Sequence, residues 1–123
     1  MEKPMKVLIV EDEQLIAMCL KLDIEDIGVM VLPTVSNGKD SIEIANKENP
    51  DLILMDINLP GGMDGIEAAE QILLQKKVPV AFMTGFATDM IKRRAQKLNP
   101  VAYLNKPVDI DRVKQIIETL KTD

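Results

Sequence analysis

The chain has 123 residues, a formal net charge of −5, no histidine and one cysteine. That length suits one domain with a core of its own, and 46% hydrophobic with 28% charged residues is a globular composition. Without histidine there is no Ser-His-Asp or Cys-His catalysis and no His-ligated zinc, and a mildly acidic chain whose only aromatics are Phe82, Phe86 and Tyr103 offers nucleic acid neither a basic footprint nor a stacking platform.

Met1-Glu2-Lys3-Pro4 leads directly into the first predicted strand, Met5–Val10, without the form of a signal peptide. The strand ends in Glu11-Asp12-Glu13. A helix follows, with Leu15, Met18, Cys19 and Leu22 spaced i, i+3, i+4, i+7 as an apolar stripe facing the core. Cys19 on that stripe reads as a small buried hydrophobe. As the one cysteine it also agrees with a reducing, cytoplasmic setting. Ile27-Gly28 ends the helix.

Val29–Val35 is a less regular second strand, and Pro33 marks it as an edge. Ser36-Asn37-Gly38 turns the chain and caps a helix over Lys39–Glu48, which points Ile42 and Ala45 inward and stops at Asn49-Pro50. Leu52-Ile53-Leu54-Met55 is a continuous apolar run, a strand buried on both faces, and it delivers Asp56. Pro60-Gly61-Gly62-Met63-Asp64-Gly65 is a glycine-rich loop. The third helix spans Ile66–Gln75 with Ile66, Ala69 and Leu73 in register, and Lys76-Lys77 suits the negative end of its macrodipole. Val78–Met83 is the fourth strand, ending at Thr84-Gly85. A helix over Thr88–Lys97 carries an irregular apolar face of Met90, Ile91, Ala95 and Leu98. Val101–Leu104 is the fifth strand, ending at Asn105-Lys106-Pro107. The last helix starts at Asp109 as N-cap and repeats the stripe at Val113, Ile116, Ile117 and Leu120. No apolar run is long enough to span a bilayer. No direct nucleic-acid partner and no membrane are expected.

Strand and helix alternate five times, which predicts a parallel sheet covered on both faces, with right-handed crossovers. In such a sheet the carboxyl ends share one edge, where open α/β folds place their ligands. Glu11-Asp12, Asp56, Thr84 and Lys106 stand at four of those ends. Singly, each has a plainer reading: a helix cap, a turn acid, a turn hydroxyl, a solvated lysine. Together they make a site. Three converging carboxylates repel one another and call for a cation, and all-oxygen ligands point to Mg²⁺. A carboxylate is a nucleophile toward phosphorus, Lys106 supplies a point charge to a phosphoryl oxygen, and Thr84 a hydrogen bond.

These residues, with the Leu59-Pro60…Met63-Asp64-Gly65 loop, Lys106-Pro107 and Tyr103 three residues before the lysine, resemble a bacterial response-regulator receiver domain over essentially the whole chain. The resemblance implies a flavodoxin-like (βα)5 three-layer α/β sandwich with a parallel five-stranded sheet of order 2-1-3-4-5. It implies a single receiver domain over residues 1–123, with no output domain in this chain. Asp56 would accept phosphate from a sensor histidine kinase or phosphotransfer domain. Asp12, Asp56 and the backbone carbonyl of Asn58 would bind Mg²⁺, with Glu11 acting through water. Thr84 and Tyr103 would be the switch pair, altering the surface of the fourth helix, fifth strand and fifth helix, and the Lys106-Pro107 peptide would be cis. The domain would be a phosphoacceptor rather than an enzyme, limited to its own phosphotransfer and autodephosphorylation. Departures are Glu at 11, a loop one residue longer than the commonest form, Gly85, and bulky Phe86 two residues beyond Thr84, which implies an unusual acyl-phosphate lifetime.

Two readings of the basic residues Lys92, Arg93, Arg94 and Lys97 stay open: a solvated face, or a contact with acids such as Asp109, Asp111 and Glu118 in a phosphorylation-dependent homodimer. Other classes compete less well. An aspartyl-nucleophile phosphohydrolase needs a second acid where Asn58 stands. A flavodoxin-like flavin binder needs a phosphate loop after the first strand. A receiver-like interaction module would leave the constellation unused.

Overall fold

The computed structural model describes residues 4–122. Met1-Glu2-Lys3, read above as running straight into the first strand, lie outside the described residues. Five parallel strands, β1 (Lys6–Val10), β2 (Met30–Val31), β3 (Leu52–Asp56), β4 (Val80–Thr84) and β5 (Ala102–Asn105), form one sheet of order β2-β1-β3-β4-β5. The helices α1 (Gln14–Glu25), α2 (Gly38–Glu48), α3 (Gly65–Gln75), α4 (Asp89–Gln96) and α5 (Ile110–Lys121) connect and follow them. The doubly covered parallel sheet expected from the alternation, and the three-layer flavodoxin-like sandwich implied by the resemblance, are the observed fold.

The layers follow from strand period two, since successive side chains leave opposite faces of a sheet. Leu8, Val10, Ile53, Met55, Val80 and Phe82 pack with Ala45 of α2, Ile66, Ala69 and Ile72 of α3 and Ala95 of α4. Their neighbours Val7, Ile9, Leu52, Leu54, Ala81 and Met83 pack on the other face with Leu20 and Ile24 of α1 and Val113 and Ile117 of α5. Every residue of β3 and β4 is buried, as continuous apolar runs in a doubly covered sheet require.

Turn chemistry matches the sequence at most joints. Asn37 caps α2 by accepting from Asp40 N–H, and Asp64 caps α3 in a reciprocal capping box with Glu67. Asn49, where α2 stops, has φ of 50°, a left-handed conformation that asparagine tolerates. Lys76 departs from its expected role. Its ammonium leaves α3 and donates to Ala45 O at 2.6 Å, and to Asn49 Oδ1, so it satisfies the end of α2 instead. The second strand is also shorter than Val29–Val35: after Leu32, whose N–H donates to Val7 O, one extra residue shifts the register, and Val35 rejoins β1 through a bridge to Val10.

The largest correction concerns α1. Its predicted stripe faces outward: Leu15 is 77%, Met18 58% and Leu22 59% exposed, and Cys19 is exposed rather than buried. The core face is Ala17, Leu20 and Ile24. On α4, Met90 is likewise exposed, and Ala95 is the one fully buried residue.

Candidate functional site at the carboxyl edge of the sheet

Register brings the strand ends to one level. Val10 lies opposite Met55, Asp56 opposite Met83, and Thr84 opposite Asn105. Backbone bonds hold those ends: Ile57 N–H donates to Met83 O at 3.0 Å, Lys106 N–H to Thr84 O at 2.8 Å, and Glu11 N–H to Val35 O at 2.9 Å. Residues from opposite ends of the chain therefore meet over the sheet.

Two carboxylates there are buried, Glu11 and Asp56. The Lys106 ammonium bridges them, 2.6 Å from Glu11 Oε1 and 3.0 Å from Asp56 Oδ2. Their other oxygens also have donors: Glu13 N–H on Glu11 Oε2 and Asn58 N–H on Asp56 Oδ1, each at 3.1 Å. Burial works against the charged lysine. The hydrogen bonds and charges of Glu11 and Asp56 outweigh it and raise the Lys106 pKa above 10.5. Breaking such a pair on one side costs far more than the pair contributes, because an uncompensated buried charge remains.

Asp12 completes the acidic cluster from the exposed side. Carboxylate oxygens of Glu11, Asp12 and Asp56 lie within 4.8 Å of one another. Among the described residues, Asp12 makes no side-chain hydrogen bond and the Asn58 carbonyl accepts none. The donor set is all oxygen, with open positions on Asp12 and Asn58, which fits a hard divalent cation.

Thr84 is buried and turned toward its own loop: Oγ1 donates to Phe86 O at 2.7 Å and accepts from Phe86 N–H at 3.2 Å. The hydroxyl of Tyr103, the expected switch partner of Thr84, is buried and has no hydrogen-bond partner among the described residues. Burial raises the phenol above its ordinary value, against a smaller opposing influence of the neighbouring Thr84 hydroxyl. That hydroxyl is committed to Phe86, so the orphaned tyrosine oxygen gains little from it.

The β3–α3 loop folds back onto Asp56. Gly65 N–H donates to Ile57 O at 2.8 Å, and a Cβ on Gly65 would stand 2.0 Å from the Asp56 carbonyl oxygen. Glycine is therefore required at 65 by close approach. Gly61 and Gly62 take positive φ of 91° and 81°. The Lys106-Pro107 peptide is cis. Two features were not legible beforehand. Arg94, grouped above with the basic surface of α4, makes a paired contact to Asp64 (3.0 and 3.5 Å), tying α4 to the cap of α3. And Glu11, expected to act through water on a metal, contacts Lys106 directly.

Such a fold and site define a class: an α/β domain carrying a carboxylate–lysine cluster at the carboxyl edge of a parallel sheet. The description "Response regulator receiver domain" matches residues 7–118. A transcriptional regulatory protein of Mycobacterium tuberculosis, PdtaR, is 35% identical over 115 residues, which span 94% of this chain and 56% of that protein. Sporulation initiation phosphotransferase F of Bacillus subtilis is 32% identical, over 92% of this chain and 90% of its own length. Among solved structures, the signal receiver domain of a modulated diguanylate cyclase from Desulfovibrio desulfuricans superposes with a TM-score of 0.88 at 36% identity, covering 97% of this chain and 94% of that one. The chain belongs to the response-regulator receiver family of two-component signalling. Receiver domains bind Mg²⁺ at an acidic pocket, and Glu11, Asp12 and Asp56 form an acidic cluster of that kind. The family is generally one of signalling domains. Some relatives are larger proteins with an activity of their own, such as a protein-glutamate methylesterase of Archaeoglobus fulgidus, of which this chain spans 33%. Among the described residues, no helix is long and apolar enough to cross a membrane.

Proposed function

We propose that Asp56 is the phosphoacceptor of a phosphorelay. A carboxylate oxygen of Asp56 attacks the phosphorus of a phosphohistidine on a sensor kinase or phosphotransfer domain. The new P–O bond forms as the P–N bond breaks, and the imidazole leaves. The observation that carries this reading is the buried Asp56 carboxylate, bridged by Lys106 and adjoining Glu11 and Asp12 at the mouth of the fold. Asp12, Asp56 and the Asn58 carbonyl would hold Mg²⁺, which when bound supplies charge neutralisation for phosphoryl transfer. Lys106 holds one phosphoryl oxygen by charge.

Thr84 then exchanges partners. Its hydroxyl leaves Phe86 O and donates to a phosphoryl oxygen. Phe86 O loses its donor, while the Tyr103 hydroxyl is a buried donor without an acceptor. The pairing of these two orphans couples phosphorylation to the surface of α4, β5 and α5. A dimer through that surface would rest on Lys92 and Arg93 of α4 and Lys97 just after it, since Arg94 is engaged with Asp64.

The donor's approach is favoured by the apolar exterior of α1. A groove of about 380 Å³ beside it is lined by Leu15, Ile16, Cys19, Pro107 and Val108 and reaches Glu11 and Lys106. A helical phosphohistidine domain docked there brings its imidazole to the acidic end of the sheet. The test is incubation with acetyl phosphate and Mg²⁺, borohydride reduction, and mass spectrometry. Conversion of Asp56 to homoserine is expected, and Asp56→Asn protein should take up no phosphate. Labelling of Asp56→Asn, or of another residue in wild type, sinks the assignment.

A further inference from the structure

We infer that Glu11 is the positioning residue of Lys106, a role that rests on the phosphoacceptor reading and goes beyond it. The Glu11 side chain is fully buried, and its bond to the lysine, 2.6 Å, is shorter than the lysine's bond to Asp56, 3.0 Å. Its second oxygen is held by Glu13 N–H, which fixes the carboxylate in orientation. Lys106 stands at the end of β5 and Glu11 at the end of β1, with β3 and β4 between them. The lysine stem crosses two strand ends to make this contact, and the crossing carries the ammonium over Asp56. When Asp56 becomes an acyl phosphate it gives up its carboxylate charge. Glu11 keeps its own, so the ammonium remains anchored over the site and faces the phosphoryl oxygens. Glutamate rather than aspartate is needed for the reach. One methylene fewer withdraws the carboxylate by about 1.5 Å, which opens 2.6 Å toward about 4 Å, beyond hydrogen bonding. The acid pair thus divides its labour: Asp12 faces the cation, Glu11 faces the lysine.

The test is Glu11→Asp, which keeps the charge and removes the reach. In metal-free protein, the Lys106 Nζ–H resonance, slowed in exchange by two carboxylate bonds, should be seen in wild type and lost in Glu11→Asp. With saturating Mg²⁺, beryllofluoride affinity should fall about ten- to a hundredfold, the size of one charge-assisted hydrogen bond, while the Mg²⁺ dissociation constant stays within about twofold. In a Lys106→Met background the same substitution should cost no further beryllofluoride affinity. The inference is overturned if the Lys106 resonance survives in Glu11→Asp, if Mg²⁺ binding weakens as much as beryllofluoride binding, or if the loss persists without the lysine. A wild-type protein that binds no beryllofluoride contradicts the phosphoacceptor reading instead, and the metal-free resonance still decides the pairing.

Discussion

Replacing Lys106 by methionine isolates the electrostatics of the site. The substitution keeps a long apolar stem and deletes the cation that bonds Glu11 and Asp56, whose side chains are 0% and 2% exposed. Removing one partner of a buried pair costs about 3–5 kcal/mol. Two facts reduce that here. Each carboxylate retains a backbone N–H, from Glu13 and Asn58, and the lysine side chain is itself 19% exposed. A destabilisation of about 2–4 kcal/mol follows, a large part of the ~5–15 kcal/mol that holds a domain together. With a urea slope of ~1–3 kcal/mol/M the midpoint should drop by roughly 1–2 M in EDTA at neutral pH. Mg²⁺ should then narrow the gap, because a cation bound only to the folded state stabilises it by about 2.7 kcal/mol at a hundred times its dissociation constant. Urea titrations of wild type and Lys106→Met, each with EDTA and with Mg²⁺, carry the measurement. A midpoint shift below about 0.3 M in EDTA, or one that Mg²⁺ leaves unchanged, would refute the reasoning.

Tyr103→Phe removes the orphaned buried hydroxyl and should raise stability by about 1 kcal/mol, several degrees in Tm, while blunting the response of α4 amide exchange to beryllofluoride; a drop in Tm would show that the hydroxyl has a partner. Gly65→Ala drives a Cβ into the Asp56 carbonyl and should cost about 3 kcal/mol, the upper end of overpacking effects, by equilibrium unfolding, with loss of acetyl phosphate uptake. Replacing Leu15, Met18 and Leu22 by serine should change stability by no more than about 0.5 kcal/mol each, slow phosphotransfer from a phosphohistidine protein, and leave acetyl phosphate uptake intact. Alkaline titration has a definite sign: the raised pKa of Lys106 means its ion pairs contribute fully below the unfolded value of 10.5 and are lost as pH rises through the folded one. Wild type should therefore lose stability above that value more steeply than Lys106→Met, read from unfolding midpoints across pH.

Much of the site was legible because it depends on topology rather than on side-chain detail. Five alternations of strand and helix fix a common carboxyl edge, and the residues ending the apolar runs must meet there whatever the packing. Glu11, Asp56, Thr84 and Lys106 follow from that logic alone. Who bonds whom does not. A lysine near three acids has several partners open to it, and strand-end position alone does not say that it bonds Glu11 and Asp56. The Arg94 contact was hidden for a similar reason. Nothing in a run of four basic residues says which of them meets an acid thirty positions earlier.

The misread face of α1 has a different cause. Leu15, Ile16, Met18, Cys19, Leu20, Leu22 and Ile24 put apolar side chains nearly all round a twelve-residue helix, so periodicity offers more than one stripe. The stripe with the larger residues is the obvious choice by hydrophobicity, and the wrong one. The core takes Ala17, Leu20 and Ile24. Against Leu20 and Ile24 stand Val7, Ile9, Leu52 and Leu54 of the sheet. Close packing selects the face that fits, and the apolar surplus is left outside. An exposed apolar row on a helix whose inner face is already satisfied adds nothing to the fold and invites self-association. If a phosphohistidine domain docks on this row as proposed, Leu15, Met18 and Leu22 should matter to phosphotransfer and hardly at all to stability.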